Sequence, residues 1–353
     1  ASSVHAEGRS ARHAIEEARG KVAALVGAEA KGVTFTASAT EANMLALTPA
    51  IEAGGRKSHC DTLFVSSIEH PSVRSGGRFA SMEELPVTAQ GVVDVTRLER
   101  HIAKAERPLV SVMHANNETG VIQPIAEIAK IVHAASGVLH VDAVQGAGRI
   151  DCEIETLGAD LMSVSAHKLG GPQGAGALIR RGDVHIAEPL IKGGGQERGQ
   201  RAGTENVAAI AGFGAAAAAA ASARQADAIR MAHLRDRLET GLRAATPGAV
   251  IFGADALRLP NTTLFAVPGM KAETLVIAFD LNGIAVSSGS ACSSGKVAAS
   301  HVLAAMGVDS ALARGAVRLS LGWNTTQADI DRCLKTWIML SASLLKERHG
   351  IAA

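Results

Sequence analysis

The sequence predicts an α/β protein, with a mainly parallel sheet in a large first domain followed by a smaller α+β domain. Three observations carry that expectation. The first two-thirds of the chain alternates short, nearly continuous apolar runs with helically spaced segments, the pattern of strands buried on both faces and crossed over by helices. A long alanine-rich helical stretch then interrupts the alternation. Beyond it come only short strands, with helices among them, as in a smaller α+β domain.

Taken in order, Val33–Thr36 (VTFT), Thr62–Ser66 (TLFVS), Leu109–His114 (LVSVMH), Gly137–Asp142 (GVLHVD), Asp160–Ser165 (DLMSVS) and Ala177–Arg180 (ALIR) read as strands. Between them Glu41–Ala53 and Ile125–Ala135 have helical spacing. The stretch from Ala215 to Ala245 reads as one helix ending before Pro247-Gly248. Asn261–Val267, Ile284–Ser287 and Ala316–Ser320 follow as strands, with helices near His301–Met306 and Asp329–Lys346. The expected domains are 1–222, the large unit, and 223–353, the small one.

Composition narrows the function classes. The chain has 353 residues, 47% hydrophobic and 20% charged, with a formal net charge of +1 and no block of like charges, so neither nucleic acid nor an anionic membrane is an expected partner. The alanine run Ala215–Ala221 falls short of a membrane span in length and hydrophobicity, and no signal peptide is visible. Cys60, Cys152, Cys292 and Cys333 lie far apart without a CxxC pair. That spacing argues against a metal site or a disulfide framework and for a reducing, cytoplasmic setting.

In open α/β sheets, ligands bind beyond the carboxyl ends of the strands. The residues just past each expected strand are SATEA, SIEH, ANNETG, DAVQ and SAHK. They deliver Ala39, Thr40, His70, Asn117, Asp142, Gln145, Ser165, His167 and Lys168 toward one rim. Taken singly, an Asp or His there is more often a turn former or a helix cap. Ser38-Ala39-Thr40-Glu41 fits a capping box, which also leaves backbone N–H groups facing the rim as a phosphate cradle. Lys168 precedes a glycine-rich turn, LGGPQGAG. Standing alone it reads as a solvated surface charge; beside a phosphate cradle and a strand-end aspartate it reads as a Schiff-base lysine. Pyridoxal phosphate needs such a lysine, an acid at its pyridine nitrogen and donors for its phosphate. The segment GSACSSGK is not the phosphate loop of nucleotide hydrolases, because five residues rather than four separate Gly289 from Gly295 and Val297 follows Lys296.

MHANNETGVIQPI, HVDAVQGAGRID, SAHKLGGPQGAGAL, GGGQERGQRAGTEN and SSGSACSSG together resemble the cysteine desulfurases, pyridoxal-phosphate enzymes of the class V aminotransferase group. The resemblance runs collinearly from Ser2 to about Leu340. It implies a fold-type-I homodimer that takes sulfur from L-cysteine, releases L-alanine and leaves a persulfide on the enzyme. The sulfur then passes to an acceptor protein, an iron–sulfur scaffold or another thio-cofactor system. By position, Lys168 matches the Schiff-base lysine, Asp142 the partner of the pyridine nitrogen, Gln145 the neighbour of the cofactor hydroxyl, and His70 the stacked, proton-moving histidine. Ala39, Thr40, Ser165 and His167 match the phosphate site, and Thr204 a contact reaching across from the neighbouring subunit. Asn117 and Arg318 match groups that hold the substrate, Arg318 by its carboxylate. Cys292, in its loop of serine and glycine, matches the nucleophile, with His70 the expected aid to its deprotonation.

Relatives carry a further strand and an Asp-x-x-Ala-Thr-Thr-like segment upstream of ASSVHAEG, and its absence here bears on substrate affinity and small-domain packing. A longer C-terminal tail that relatives use to dock a scaffold is also expected to be missing. On the same scaffold stand a selenocysteine lyase, an aminotransferase that would not need Cys292, and a sulfur-relay subunit that has lost turnover.

Overall fold

The computed structural model describes residues 3–53, 59–289 and 299–350, with side chains up to 343. The chain divides into two compact units. The first comprises Ala1–Pro86, Val93–Ala115 and Gln123–Gln225, and the second Val87–Val92, Asn116–Ile122 and Ala226–Ala353. The sequence reading assigned everything before 223 to the large domain. Two short segments depart from it: in Asn116–Ile122 the backbone pairs within the second unit, Ile122 N–H donating to Leu257 O and Gly120 O accepting from Leu259 N–H, and in Val87–Val92 Gln90 Nε2 donates to Asp255 Oδ2 at 3.2 Å.

In the first unit the elements are α1 (Ala6–Leu25), β1 (Val33–Thr36), α2 (Ala39–Ala46), β2 (Ile51–Glu52), β3 (Thr62–Ser66), α3 (Pro71–Arg74), β4 (Met82–Leu85), α4 (Val95–Ile102), β5 (Pro108–Met113), α5 (Ile125–Ala134), β6 (Val138–Asp142), α6 (Ile154–Leu157), β7 (Leu161–Ser165), β8 (Gly176–Arg180) and β9 (His185–Ile186). A seven-stranded sheet runs β1-β8-β7-β6-β5-β3-β4. Its β4, β3, β5, β6 and β7 are parallel; β8 runs against them, and β1, antiparallel to β8, runs in their direction again. All residues of β5, β6 and β7 are buried, as their unbroken apolar runs require. β4 reads MEEL and was not expected, because an edge strand with one buried residue carries no apolar run. α2 stops at Ala46, short of the expected Ala53, since Pro49 cannot continue a helix.

The helix α7 (Val207–Ala245) belongs to the first unit up to Gln225 and to the second beyond it. At 39 residues it is long and apolar enough by composition to cross a bilayer, so the length argument against a span does not hold. Its hydropathy comes largely from alanine, and Phe213 and Ala217 are fully buried.

The second unit adds β10 (Val250–Ile251), β11 (Thr262–Ala266), α8 (Ala272–Leu281), β12 (Ser287–Ser288), α9 (His301–Ala305), α10 (Ser310–Ala313), β13 (Val317–Ser320) and α11 (Gln327–Gly350). Its antiparallel sheet runs β10-β11-β13-β12. One face packs on a core centred on Trp337, which meets Phe265 edge-on at 5.1 Å and stacks on Phe279 at 6.2 Å. Trp337 is fully buried, whereas Trp323 is 75% exposed.

Candidate active site

The carboxyl ends of β3, β6 and β7 and the N-terminus of α2 carry the first cluster. Ser38 Oγ accepts from Glu41 N–H at 3.2 Å, the first half of the expected capping box, while Glu41 Oε2 reaches back one residue further than the box requires and accepts from Ala37 N–H at 2.8 Å. This cap opens α2 with Ala39 and Thr40 in its first turn. Gly176 of β8 lies so close that a Cβ there would come within 2.5 Å of the Ser38 carbonyl carbon, which only glycine avoids. Arg201 Nε donates to Glu41 Oε1 at 2.8 Å, pinning the segment that leads to the exposed Thr204 onto the same helix start.

At the end of β6, Asp142 is 5% exposed and both its oxygens are held: Asn43 Nδ2 donates to Oδ2 at 2.9 Å and Val144 N–H to Oδ1 at 3.0 Å. Burial raises its pKa, while Asn43, Val144 and His70 pull the other way. His70 caps α3 through Nδ1, which accepts from Ser72 N–H at 3.2 Å. Burial lowers the ring's pKa; the charge of Asp142 opposes that and the charge of Lys168 adds to it. Past β7, Ser165 Oγ sits 2.9 Å from His167 Nδ1. Lys168 ends a short 3-10 turn, Ala166–Lys168, and its ammonium lowers the pKa of exposed His167, second to desolvation. His70 is thus close enough to feel the charges of both Asp142 and Lys168.

Four residues of these clusters were not picked out from the sequence. Asn43 and Ser72 bridge His70 to Asp142. Arg149 donates to Gln145 O at 2.9 Å and to Lys168 O at 2.8 Å, clasping the two segments together. Glu69 is fully buried and accepts from Met113 N–H at 2.6 Å; burial and nearby Asp142 push its pKa well above the carboxylate range. Only GRID and SIEH, adjoining the chosen strand ends, hinted at the last two.

The second unit carries the other cluster. Arg318 on β13 donates through Nη1 to Asn117 O at 2.7 Å, and its Nη2 lies 3.4 Å from Ser287 Oγ, its neighbour in register on β12. The turn around Asn117 is built by Asn116, whose Oδ1 accepts from the N–H groups of Glu118 and Thr119, both at 2.9 Å. Glu118 is 4% exposed and accepts from Ser300 Oγ at 2.5 Å.

Cys292 lies outside the described residues. Cys60, Cys152 and Cys333 are buried, and burial pushes their thiols up to about 11, 12 and 11. His114 Nδ1 lies 3.1 Å from Cys152 Sγ, but burial lowers that ring to about 4, so the pair holds a neutral thiol beside a neutral imidazole. No group of His, Cys, Asp and Glu suited to a metal ion occurs among the described residues.

The class V aminotransferase family profile matches residues 1–333. A cysteine desulfurase of Archaeoglobus fulgidus (IscS 1) is 41% identical over 95% of this chain and 87% of its own length. An IscS-like cysteine desulfurase of Mycobacterium tuberculosis is 40% identical over 100% of this chain and 91% of its own. The NifS-like protein of Rickettsia africae superposes with a TM-score of 0.86 at 37% identity, covering 97% of this chain and 91% of that one. On a family match over nearly the whole length, the chain belongs to the class V aminotransferases.

Proposed function

We propose that this chain is a pyridoxal-phosphate-dependent cysteine desulfurase, supplying sulfur for iron–sulfur clusters or thio-cofactors. The observation that carries the reading is Asp142, a buried carboxylate fixed by Asn43 and Val144 at the end of β6, beside β7, which is followed by the short turn that ends on Lys168. The donor set fits pyridoxal phosphate: an acid, an amine and a helix start cleared of side chains by Gly176.

Bound pyridoxal phosphate supplies an aldehyde for amines and a ring that draws electrons from the carbons of a bound amino acid. Asp142 would hold a proton at its ring nitrogen, because a buried anion is best satisfied by a cation. The first turn of α2, with Ala39 and Thr40, would hold the phosphate together with Ser165 and His167. Gln145 would lie beside the ring hydroxyl and His70 against the ring. Lys168 would anchor the group and take the proton from the substrate α-carbon. Arg318 presents a fork suited to a carboxylate, held in place by the Asn117 carbonyl. Cys292 would receive the sulfur: L-cysteine and the Cys292 thiol become L-alanine and a Cys292 persulfide, with atoms balanced. The high thiol pKa values of the other cysteines support that choice. A homodimer, with Thr204 reaching the partner's phosphate site, and transfer to an acceptor protein complete the proposal.

The test is single-turnover reaction of the loaded protein with L-cysteine in the absence of reductant. Equal amounts of alanine and of persulfide on the Cys292 peptide are expected, and Cys292→Ser should abolish both. Alanine release undiminished in Cys292→Ser would sink the nucleophile role; bound cofactor with neither product in the parent would sink the desulfurase reading.

A further inference from the structure

Four polar side chains in the first unit form an unbroken run of hydrogen bonds. His70 Nδ1 accepts from Ser72 N–H at 3.2 Å and lies 2.8 Å from Ser72 Oγ. Asn43 Nδ2 donates to Ser72 Oγ at 2.9 Å and to Asp142 Oδ2 at 2.9 Å. Ser72, Asn43 and Asp142 are 8%, 1% and 5% exposed, so water competes little for any link between them.

Each proton in this run is assigned by its neighbours. A backbone N–H only donates, so His70 Nδ1 presents a lone pair. A carboxylate only accepts, so Asn43 turns its NH2 group to Asp142 and places its second proton on Ser72 Oγ. The opposite amide orientation would set two acceptor oxygens against each other at 2.9 Å. Ser72 Oγ, having accepted from Asn43, has its own proton directed to His70 Nδ1. A neutral ring held this way carries its proton on Nε2.

We propose that Ser72 and Asn43 are positioning residues that set the tautomer of His70 and wire it to Asp142, so that the ring works as an N–H donor through Nε2. A ring whose basic nitrogen is already engaged by Ser72 does not collect a proton at Nε2, so deprotonation of a substrate or enzyme thiol falls to another group. The lowered pKa of the ring, from burial above all, agrees with a neutral imidazole. The role in the reaction rests on His70 and Asp142 belonging to the pyridoxal phosphate site; the proton positions do not.

The experiment is long-range proton–nitrogen NMR of the full chain with 15N-labelled histidine, loaded with pyridoxal phosphate, using His70→Gln to assign the ring. The parent should show a protonated Nε2 and an unprotonated Nδ1. Ser72→Ala removes one of two donors to Nδ1. It should move the tautomer ratio about fivefold toward Nδ1–H, the worth of one ordinary hydrogen bond. It should also raise the pKa of His70, because a donor to the neutral ring's lone pair has gone. Ser72→Thr, which keeps the hydroxyl, should restore both. Asn43→Ala should shift the ratio in the same direction and weaken cofactor binding about tenfold by stripping a donor from Asp142; unchanged cofactor affinity would remove Asp142 from the proposal. If Asn43→Ala does not fold, the Ser72 pair decides the matter. A parent with its proton on Nδ1, or a Ser72→Ala variant with the parent's ratio and titration, overturns the proposal. A parent that takes up no cofactor would overturn the desulfurase reading instead, and the bare chain would still report the proton positions.

Discussion

Glu118 shows what one buried carboxyl does to the pH response of the fold. It is 4% exposed and hydrogen-bonded to the N-cap of α9, Ser300. Burial raises its pKa from 4.5 to about 7, against the pull of Ser300 and the Arg318 charge. The folded chain therefore keeps this proton where the unfolded chain has lost it, so stability falls as pH rises from about 4.5 to about 7 and levels off above. The fall amounts to roughly 3 kcal/mol. Glu118→Gln keeps an acceptor for Ser300 without the charge, so its stability relative to the parent should improve across that window. Urea denaturation at pH 5 and pH 8 checks this, and an equal difference at both would refute it. At this scale the sequence was legible wherever position alone decides. Residues just past the strands could be named because the ends of parallel strands converge. Asn43 and Ser72 could not, because their partners lie 99 and 29 residues away and no local pattern encodes such a pairing.

At the scale of elements, a buried ion pair fastens α1 to the turn that precedes Thr204. Arg19 meets Glu197 with two hydrogen bonds, at 2.7 and 2.9 Å, with side chains 5% and 3% exposed. Arg19 also donates to Val33 O and lies 4.8 Å over Phe35, whose N–H donates to Glu197 at 2.8 Å. Glu197 and Arg198 hold left-handed backbone, at φ 46° and 57°, a conformation the surrounding bonds impose. Arg19→Ala leaves a carboxylate buried without its cation and should cost about 3–5 kcal/mol by denaturant unfolding. Arg19→Lys should recover little, since an ammonium offers no planar fork; full recovery would show that charge alone matters. α1 itself went unread although the sequence carries its signal: Ile15, Ala18, Val22 and Leu25 form a buried helical stripe. β4 had no signal to read, because its pairing with β3 is made by backbone groups.

Over the whole molecule, the sequence reading places a boundary near residue 222, beyond which the sheet is antiparallel and β11, β12 and β13 are joined through α8, α9 and α10. The place of Val87–Val92 and Asn116–Ile122 in the second unit was not legible, since the hydrogen bonds of short loops leave no mark on composition. The second unit leans on one side chain. Trp337→Ala empties the middle of its core and should cost about 3–5 kcal/mol, read as a lower urea midpoint. A loss below 1 kcal/mol would mean that Phe265 and Phe279 close the gap.

The chain has two tryptophans and no tyrosine, and both tryptophans belong to the second unit. Its near-ultraviolet emission is therefore a local signal, silent about the seven-stranded sheet. Trp323 is open to an aqueous quencher and Trp337 is shielded from it, so one titration with acrylamide sorts surface light from core light. A Trp323→Phe chain would glow from a single interior lamp, dimming or reddening only when the second unit comes apart.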